Sequence, residues 1–337
     1  MEGLVQHPNT TLRAYLIIIA CGLSCLAAQV QAAQITPFDI TNYNPLPQLF
    51  GLPLASQATL LEGGQQEFKL LLDKTSFYAF ADSASGHALF DGESSHATFI
   101  YNHSTRPGLQ WGIVIPYVSH EGGSLDNFII NWHNFFHLPQ GGRDSGPRNQ
   151  LHFYYARDGV TLLDVTDASS GMGDVRLTAG WQMPGKSMTV NGSLKLPSGD
   201  SRTLHGSGAA DLALWLAGYS AQQYWGYPAG VYGSVGMLAL GRGDVLPEAQ
   251  KQLVIFGGAG TGMVLNRYVR FKVQLDMHSP FYDNIGLGHS NSFAVQCTMG
   301  GAIRFSQQLK LDIGVSEDFN IDASPDVNFH LGLQARF

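Results

Sequence analysis

Four groups of residues have the types and spacing that chemistry needs. His133 and His137 stand at i and i+4, which sets two imidazoles on one helix face as metal ligands. No third ligand and no HExxH pattern accompanies them, so neither a metal nor another cofactor is implied. His205-Gly206-Ser207 places a base beside a hydroxyl, the beginning of an activated nucleophile, and His289-Ser290-Asn291-Ser292 repeats the combination. Both lie in loop-like sequence, where a catalytic pair is poorly held, and no catalytic residue is assigned. Glu121, Asp126, Asp167, Asp174, Asp200, Glu317, Asp318, Asp322 and Asp326 could hold calcium or bridge lipopolysaccharide through divalent cations; a solvated anionic loop surface is the plainer reading. Finally, Arg176, Lys195, Arg270, Lys272, Asp276, Arg304, Lys310 and Asp312 carry charges of both signs on what reads as one inward face. Such charges could set the selectivity of a channel or interlock as ion pairs that close it, and each must be paired or hydrated.

These eight charges sit in segments that alternate apolar and polar with period 2, the signature of strands. Val269, Phe271, Val273, Leu275 and Met277 alternate with Arg270, Lys272, Gln274, Asp276 and His278. Leu309, Leu311, Ile313 and Val315 alternate with Lys310, Asp312, Gly314 and Ser316. Similar runs occur at 111–117, 175–182, 188–196 and 293–305. The last segment is the most regular: Val327, Phe329, Leu331, Leu333, Ala335 and Phe337 point one way, and Asn328, His330, Gly332, Gln334 and Arg336 the other. The runs extend about 9–11 residues, the length of a tilted strand crossing hydrocarbon.

The chain has 337 residues, 44% hydrophobic and only 13% charged, against about 25% charged in soluble domains. Its mean hydropathy is -0.02. No stretch past residue 33 approaches the ~20 apolar residues of a spanning helix, which excludes a polytopic helical membrane protein. Aromatics at 11% exclude disorder, and a net charge of -7 without basic clusters argues against nucleic-acid binding. A soluble sandwich alternates in the same way. Scarce charge, and apolar faces ending in Trp181, Phe293, Phe305 and Phe337, favour a membrane barrel with an aromatic girdle.

Residues 1–33 read as a cleaved export signal, with Arg13, an apolar stretch from Ala14 to Leu26, and Val30-Gln31-Ala32 before the cut. A retained anchor and a lipoprotein signal at Cys21 are the alternatives. Past this leader Cys297 is the lone cysteine, so no disulfide framework supports the fold. Residues 34–60 carry Pro37, Pro45, Pro47 and Pro53 and cannot be a central strand; they read as a periplasmic extension or a plug folded into the barrel mouth. Residues 61–337 form the barrel. Strands are expected at 66–80, 90–103, 108–118, 150–157, 160–166, 174–183, 188–196, 209–217, 229–240, 252–263, 267–277, 291–305, 308–316 and 326–337. That gives about fourteen if 150–166 is a hairpin, or twelve if it is a loop or if 66–80 is not a strand. Arg157-Asp158-Gly159, Pro184-Gly185-Lys186, the turn at Asn266 and Ser306-Gln307-Gln308 read as tight turns. In 125–137, Leu125, Phe128, Trp132 and His133 fall in a helical pattern between Gly122-Gly123 and Pro139, which predicts a short helix in the longest external loop.

Several segments resemble a family of Gram-negative outer-membrane proteins catalogued only as a domain of unknown function. They are Pro37-Phe38, Asn44-Pro45-Leu46 and Phe50-Gly51-Leu52-Pro53; Asp91-Gly92-Glu93; Leu125-Asp126-Asn127-Phe128, Trp132-His133 and Leu138-Pro139 to Arg143; Gly173-Asp174-Val175, Leu196-Pro197-Ser198-Gly199-Asp200 and Asp211; and Glu317-Asp318 with Pro325-Asp326-Val327. The Leu-Pro-Ser-Gly-Asp element is also similar to outer-membrane proteins associated with uptake of aromatic compounds, where Thr is usual at the position of Ser198. A terminal Phe337 with Phe329, Leu331 and Leu333 resembles the last strand that barrel-assembly machinery reads.

The expectation is an all-β, transmembrane, antiparallel up-and-down barrel in the outer membrane, surrounded by lipid and lipopolysaccharide. As a function it points to a passive porin-like channel or small-molecule uptake protein, gated by the external helix or the N-terminal segment. The alternatives are an enzyme acting on envelope lipids and a barrel with a structural or surface-binding role.

Overall fold

An alternating chain in a bilayer must pair every peptide group and still offer lipid an apolar face, and a sheet closed on itself does both. The computed structural model shows this closure. It describes residues 35–337 apart from 56, 84–85, 138–139, 141, 186, 284, 286–292 and 319–323. The leader at 1–33, the cluster at 289–292 and Asp322 lie outside the described residues.

Among the described residues fifteen strands form one antiparallel sheet: β1 (Gln66–Ser83), β2 (Gly86–Arg106), β3 (Leu109–Glu121), β4 (His152–Arg157), β5 (Val160–Val165), β6 (Ser169–Met172), β7 (Arg176–Gln182), β8 (Met188–Lys195), β9 (Asp211–Tyr224), β10 (Tyr227–Leu240), β11 (Leu253–Val264), β12 (Val269–His278), β13 (Ala294–Arg304), β14 (Leu309–Asp318) and β15 (Val327–Arg336). β1 pairs with β15, and β3 pairs directly with β7, so the ring closes without β4, β5 and β6. Fifteen less these three leaves twelve wall strands, the lower of the two expected counts. The 150–166 segment is a hairpin, but β4 pairs with Gly86–Asp91 at the tip of β2. The hairpin therefore adds height and no circumference, and its tight Arg157-Asp158-Gly159 turn lies beside Gly86, at the end opposite the other tight turns.

The connections at the end where Gln66 pairs with Phe337 are all short, and the long ones lie opposite, together with the two-residue β1–β2 and β4–β5 links. Outer-membrane barrels turn their short connections to the periplasm and their long loops outward. Outward side chains such as Leu70, Leu72, Trp111, Leu214, Phe271, Ile313, Leu331 and Leu333 are exposed, while their inward neighbours are buried. Trp181, Phe293, Phe305 and Phe337 are each exposed by more than half, as a girdle at the lipid boundary requires.

Residues 35–62 run inside the ring as a re-entrant hairpin. Thr36 starts beside Lys310 near the periplasmic end, and Phe38 meets Gln274 midway up β12. Asn42 bonds His278 at the top of that strand. A 3-10 turn at Pro47–Leu49 reverses the chain, with Phe50 stacked on Phe281 of an outer loop (ring centroids 5.0 Å apart). The descending leg returns past Arg176 and Thr189 to Gln182 and Gln110 at the periplasmic end. Proline fits here because this leg needs no ladder hydrogen bond.

The external helix α1 (Asp126–Phe136) forms within the expected 125–137. It lies against the outside of the wall and not over the lumen. Its flanking Ser124 and Leu125 amides donate to Glu93, whose side chain shares the outward face of β2 with Phe99 and Tyr101.

Candidate functional site

The lumen is built from charges that the alternation turns inward. Lys69 is buried and its Nζ reaches both carboxylate oxygens of Asp39 at 2.8 Å, with Glu67 at 3.5 Å. Glu67 also accepts from Arg336 Nε (2.7 Å), Gln334 and Asn102, closing the seam between β1 and β15. Asp73 accepts from the Tyr43 hydroxyl at 3.2 Å and from Asn328, and lies 2.8 Å from His330 Nδ1. Further round the same side of the ring, on β14, Asp312 sits between Lys272 (2.6 Å) and Lys310 (2.7 Å). Lys272 Nζ also lies 3.7 Å from the centroid of the Phe38 ring, and Lys310 donates to Thr36.

A further node ties the reversal of the hairpin to the wall. Lys195, 1% exposed, lies 2.5 Å from Asp174 and 3.3 Å from Asp211 and donates to Ser207 Oγ and the Ala209 carbonyl. Asp211 accepts the Gly51 amide at 2.8 Å, and Asp174 accepts the Gly199 amide at 2.8 Å. A β-carbon on Gly51 would lie 3.2 Å from those of both Asp211 and Lys195, so any larger residue would press on both side chains. Ser198 accepts from the Val175 amide and donates to the Gly173 carbonyl. Segments that are far apart in sequence (50–53, 173–175, 196–200 and 211) thus meet at one lysine.

Of the eight inward candidates, Lys195, Lys272, Lys310 and Asp312 are ion-paired, and Arg176 donates to the Leu52 carbonyl of the hairpin (2.8 Å). Asp276 accepts from Gln274. Arg270 lies buried near the periplasmic mouth, and Arg304 binds turn carbonyls there. They line no single open path, because residues 35–62 stand between them. A cavity of about 110 Å³ remains beside the descending leg, edged by Leu54, Ile100, Asn102, Gln110, Val114 and Asn191. Above it, Leu46, Leu49 and Phe50 join Phe90, Phe153, Trp215 and Phe256 in an apolar core that seals the outer half.

Sequence reasoning passed over Lys69, Glu67 and Asp73, although they alternate with Phe68, Leu70 and Leu72. It also passed over Asp39, which no periodicity marks.

A second node lies on the outer wall. Arg143 is buried; it pairs with Asp126, and its Nη2 lies 2.5 Å from Asp326, while its guanidinium faces the Tyr78 ring. Although burial opposes its charge, these carboxylates raise the Arg143 pKa above its ordinary value. Burial raises that of Asp326 in spite of Arg143. Gly123 has φ of 74°, and a side chain there would strike the Glu93 carboxylate, so the loop closes on the wall only as glycine.

The remaining candidates separate. His133 is buried against the wall, whereas His137 caps the helix in a left-handed conformation and is exposed, so the two do not converge. Among the described residues no cluster of three or more His, Cys, Asp or Glu could hold a metal ion. Glu121 pairs with Lys74, Asp200 with Arg202, and Asp126 and Asp326 with Arg143. Ser207 bonds Lys195 and not His205. His205 meets Ser169 (3.3 Å) and Thr203, and burial lowers its pKa. Ser94 lies 2.8 Å from His120 Nδ1, but both are buried and the other ring nitrogen faces a carbonyl, with no orienting carboxylate.

A family model described as "Protein of unknown function (DUF3187)" matches residues 13–337. The chain belongs to this family. Among solved structures, this DUF3187 chain is similar to the COG4313 outer membrane channel from Pseudomonas putida F1, at 11% identity and a TM-score of 0.52, covering 84% of this chain and 98% of that one. The toluene transporter TodX of Pseudomonas putida aligns at 9% identity and a TM-score of 0.37, over 90% and 99% of the two chains. The first likeness shows that the DUF3187 chain has the fold of an outer-membrane β-barrel. No curated protein matches it.

Proposed function

We propose that this DUF3187 protein is an outer-membrane channel for small molecules, exported by a leader at 1–33 and held shut by the hairpin of residues 35–62. The observation that carries the reading is how the hairpin is held. It fills the lumen by hydrogen bonds and ion pairs to side chains of the wall, at Lys69, Asp211, Lys272 and Gln182 among others. A wall kept only as a scaffold would be filled more stably by its own apolar side chains, since buried ion pairs contribute little net stability for the desolvation they require. Polar contacts to a separate segment can be exchanged for water when the segment moves.

The lining favours a small, partly apolar solute. The outer half of the lumen holds an apolar core beside the Lys195 node, and the cavity beside the hairpin mixes Leu54, Ile100 and Val114 with Asn102 and Gln110. The inward charges then act on the plug, so they tune opening more than ion selectivity. The helix α1, on the outer face, has no part in this gate. The similarity of fold to an outer membrane channel supports the reading.

The test compares the protein without its leader with a variant also lacking residues 34–60, both shown to be folded by heat-modifiable migration. In planar bilayers the truncated barrel should conduct in large steps and the intact one rarely. In liposome-swelling assays the intact barrel should admit small solutes slowly. A folded truncated barrel that conducts no more than the intact one, or an intact barrel that admits no solute, refutes the proposal.

A further inference from the structure

The helix α1 presents three distinct faces. At about 100° per residue, Asp126, Ile129 and His133 share one flank, and all three are buried against the wall. Asn127, Asn131 and Asn134 share a second. Phe128, Trp132 and Phe135 share the third and are exposed, Phe128 at 46% and Phe135 at 76%. A helix standing in water on a soluble surface needs two faces; this one has a wall face, a polar face and an aromatic face.

Its position on the barrel explains the third. The outward rows that meet lipid end at Leu72 on β1, Leu331 on β15 and Ile313 on β14. One step higher the outward residues change character: Lys74 pairs with Glu93 and Glu121, and Phe329 stands in register with Lys74. The helix crosses the strands at this level. Its start is fixed to Glu93 on β2, the ring of Phe128 lies 5.8 Å from that of Phe329 on β15, and Trp132 hydrogen-bonds Glu317 on β14. Phe128 and Trp132 are stacked at 6.0 Å, so through Phe329 the aromatic face continues upward from the lipid-facing row of Leu331 and Leu333.

We infer that α1 is an in-plane membrane helix, whose Phe128, Trp132 and Phe135 sit at the boundary between headgroups and acyl chains of the outer leaflet while its asparagines face water. Aromatic rings favour that boundary because it offers apolar contact and a polar edge together. The Arg143 node holds the helix in place from behind, so the protein carries a rigid collar that fixes its depth at one side of the barrel. The inference concerns the membrane seat alone and stands whether or not the lumen conducts.

Phe135→Cys and Asn131→Cys, each with Cys297→Ser, would be spin-labelled and refolded into phosphatidylethanolamine–phosphatidylglycerol vesicles. Heat-modifiable migration confirms folding. Collision with oxygen relative to a water-soluble nickel chelate should be several-fold higher at 135 than at 131. Equal, water-like ratios at both sites overturn the inference. So does exclusion of both quenchers at 135, which would mean that protein covers the face. A second measurement leaves the aromatic face intact: lipids brominated near the headgroup should quench more of the tryptophan emission in wild type than in Trp132→Phe. An equal quenched fraction in the two also overturns the inference.

Discussion

Replacing Lys195 by methionine is the sharpest perturbation of the plugged lumen. The side chain is 1% exposed, and the Asp174 and Asp211 side chains beside it are 4% and 0% exposed. Methionine keeps most of the volume and removes the charge, leaving two buried carboxylates with no cation. Removing one member of a buried ion pair costs about 3–5 kcal/mol, because the survivor is left uncompensated in a poor solvent. Asp211→Asn should cost less, about 1.5–3 kcal/mol for one charged hydrogen bond. It keeps the contact between Lys195 and Asp174, and its amide oxygen can still accept one of the two backbone amides, of Gly51 and Gly241, that Asp211 binds. Lys195→Met with Asp174→Asn should recover part of the loss, and the double-mutant cycle isolates the pair. The assay is urea unfolding of the refolded barrel in vesicles, with protease access at residues 46–55 as the local readout. If Lys195→Met lies within about 0.5 kcal/mol of wild type, as a surface change would, the node does not hold the hairpin and the reasoning fails.

Other outcomes follow from the same contacts. Arg143→Leu leaves Asp126 and Asp326 buried without their cation, so hydrogen exchange should accelerate across 122–149 while the lower wall strands keep their protection; an unchanged loop would refute the role of the node. Gly51→Val forces a side chain between Asp211 and Lys195, and overpacking of about 1–3 kcal/mol should make 46–55 sensitive to protease. His205 is lowered by burial, with His120 stacked on it at 5.4 Å and Asp200 nearby. Its neutral form is the one held, so its contribution is complete above about pH 6.5 and lost as pH falls through the lower folded value. Exchange across 196–210 should rise between pH 7.5 and 5, and His205→Gln should flatten that step. Deleting Phe337 removes the ring contact with Phe68 and the pairing of its backbone with Gln66; less heat-modifiable barrel should appear in cells, and normal insertion would count against the terminal-strand argument.

The lower wall was legible because lipid imposes one rule on every strand that meets it. Val269 to His278 and Val327 to Arg336 could be assigned face by face, and the structure keeps those faces. Legibility stops where lipid stops. The upper parts of β1 and β2 bury both faces: Ser76 and Phe77 are both buried, as are Asp91 to Ser94, because the 122–149 loop covers one side and the apolar core the other. Without alternation, the height of β1 and β2 and the place of β4 could not be read, and the higher of the two expected counts included a hairpin that stands above the wall. The lumen was half legible. Lys272 and Asp312 announce themselves by alternation, whereas Asp39, Gly51 and Arg143 act through contacts dozens to hundreds of residues away that leave no local pattern. The prolines of 34–60 showed what the segment is not; only the three-dimensional contacts show that it enters the barrel.

Both legs of the hairpin leave the barrel by the same mouth, and its bend reaches toward the opposite one without leaving the wall. Nothing is threaded: the segment could be drawn out from the periplasmic side without opening the seam between β1 and β15. Tension on the Ile35 end would load the contacts in sequence, Lys310 first, then Gln274 and Lys69, then His278 and Asp73, before the bend leaves the apolar core. From outside there is no end to grip and the apolar core must yield at once. The barrel is thus mechanically one-sided, easy to unlatch from within the cell envelope and resistant to being forced from the surroundings.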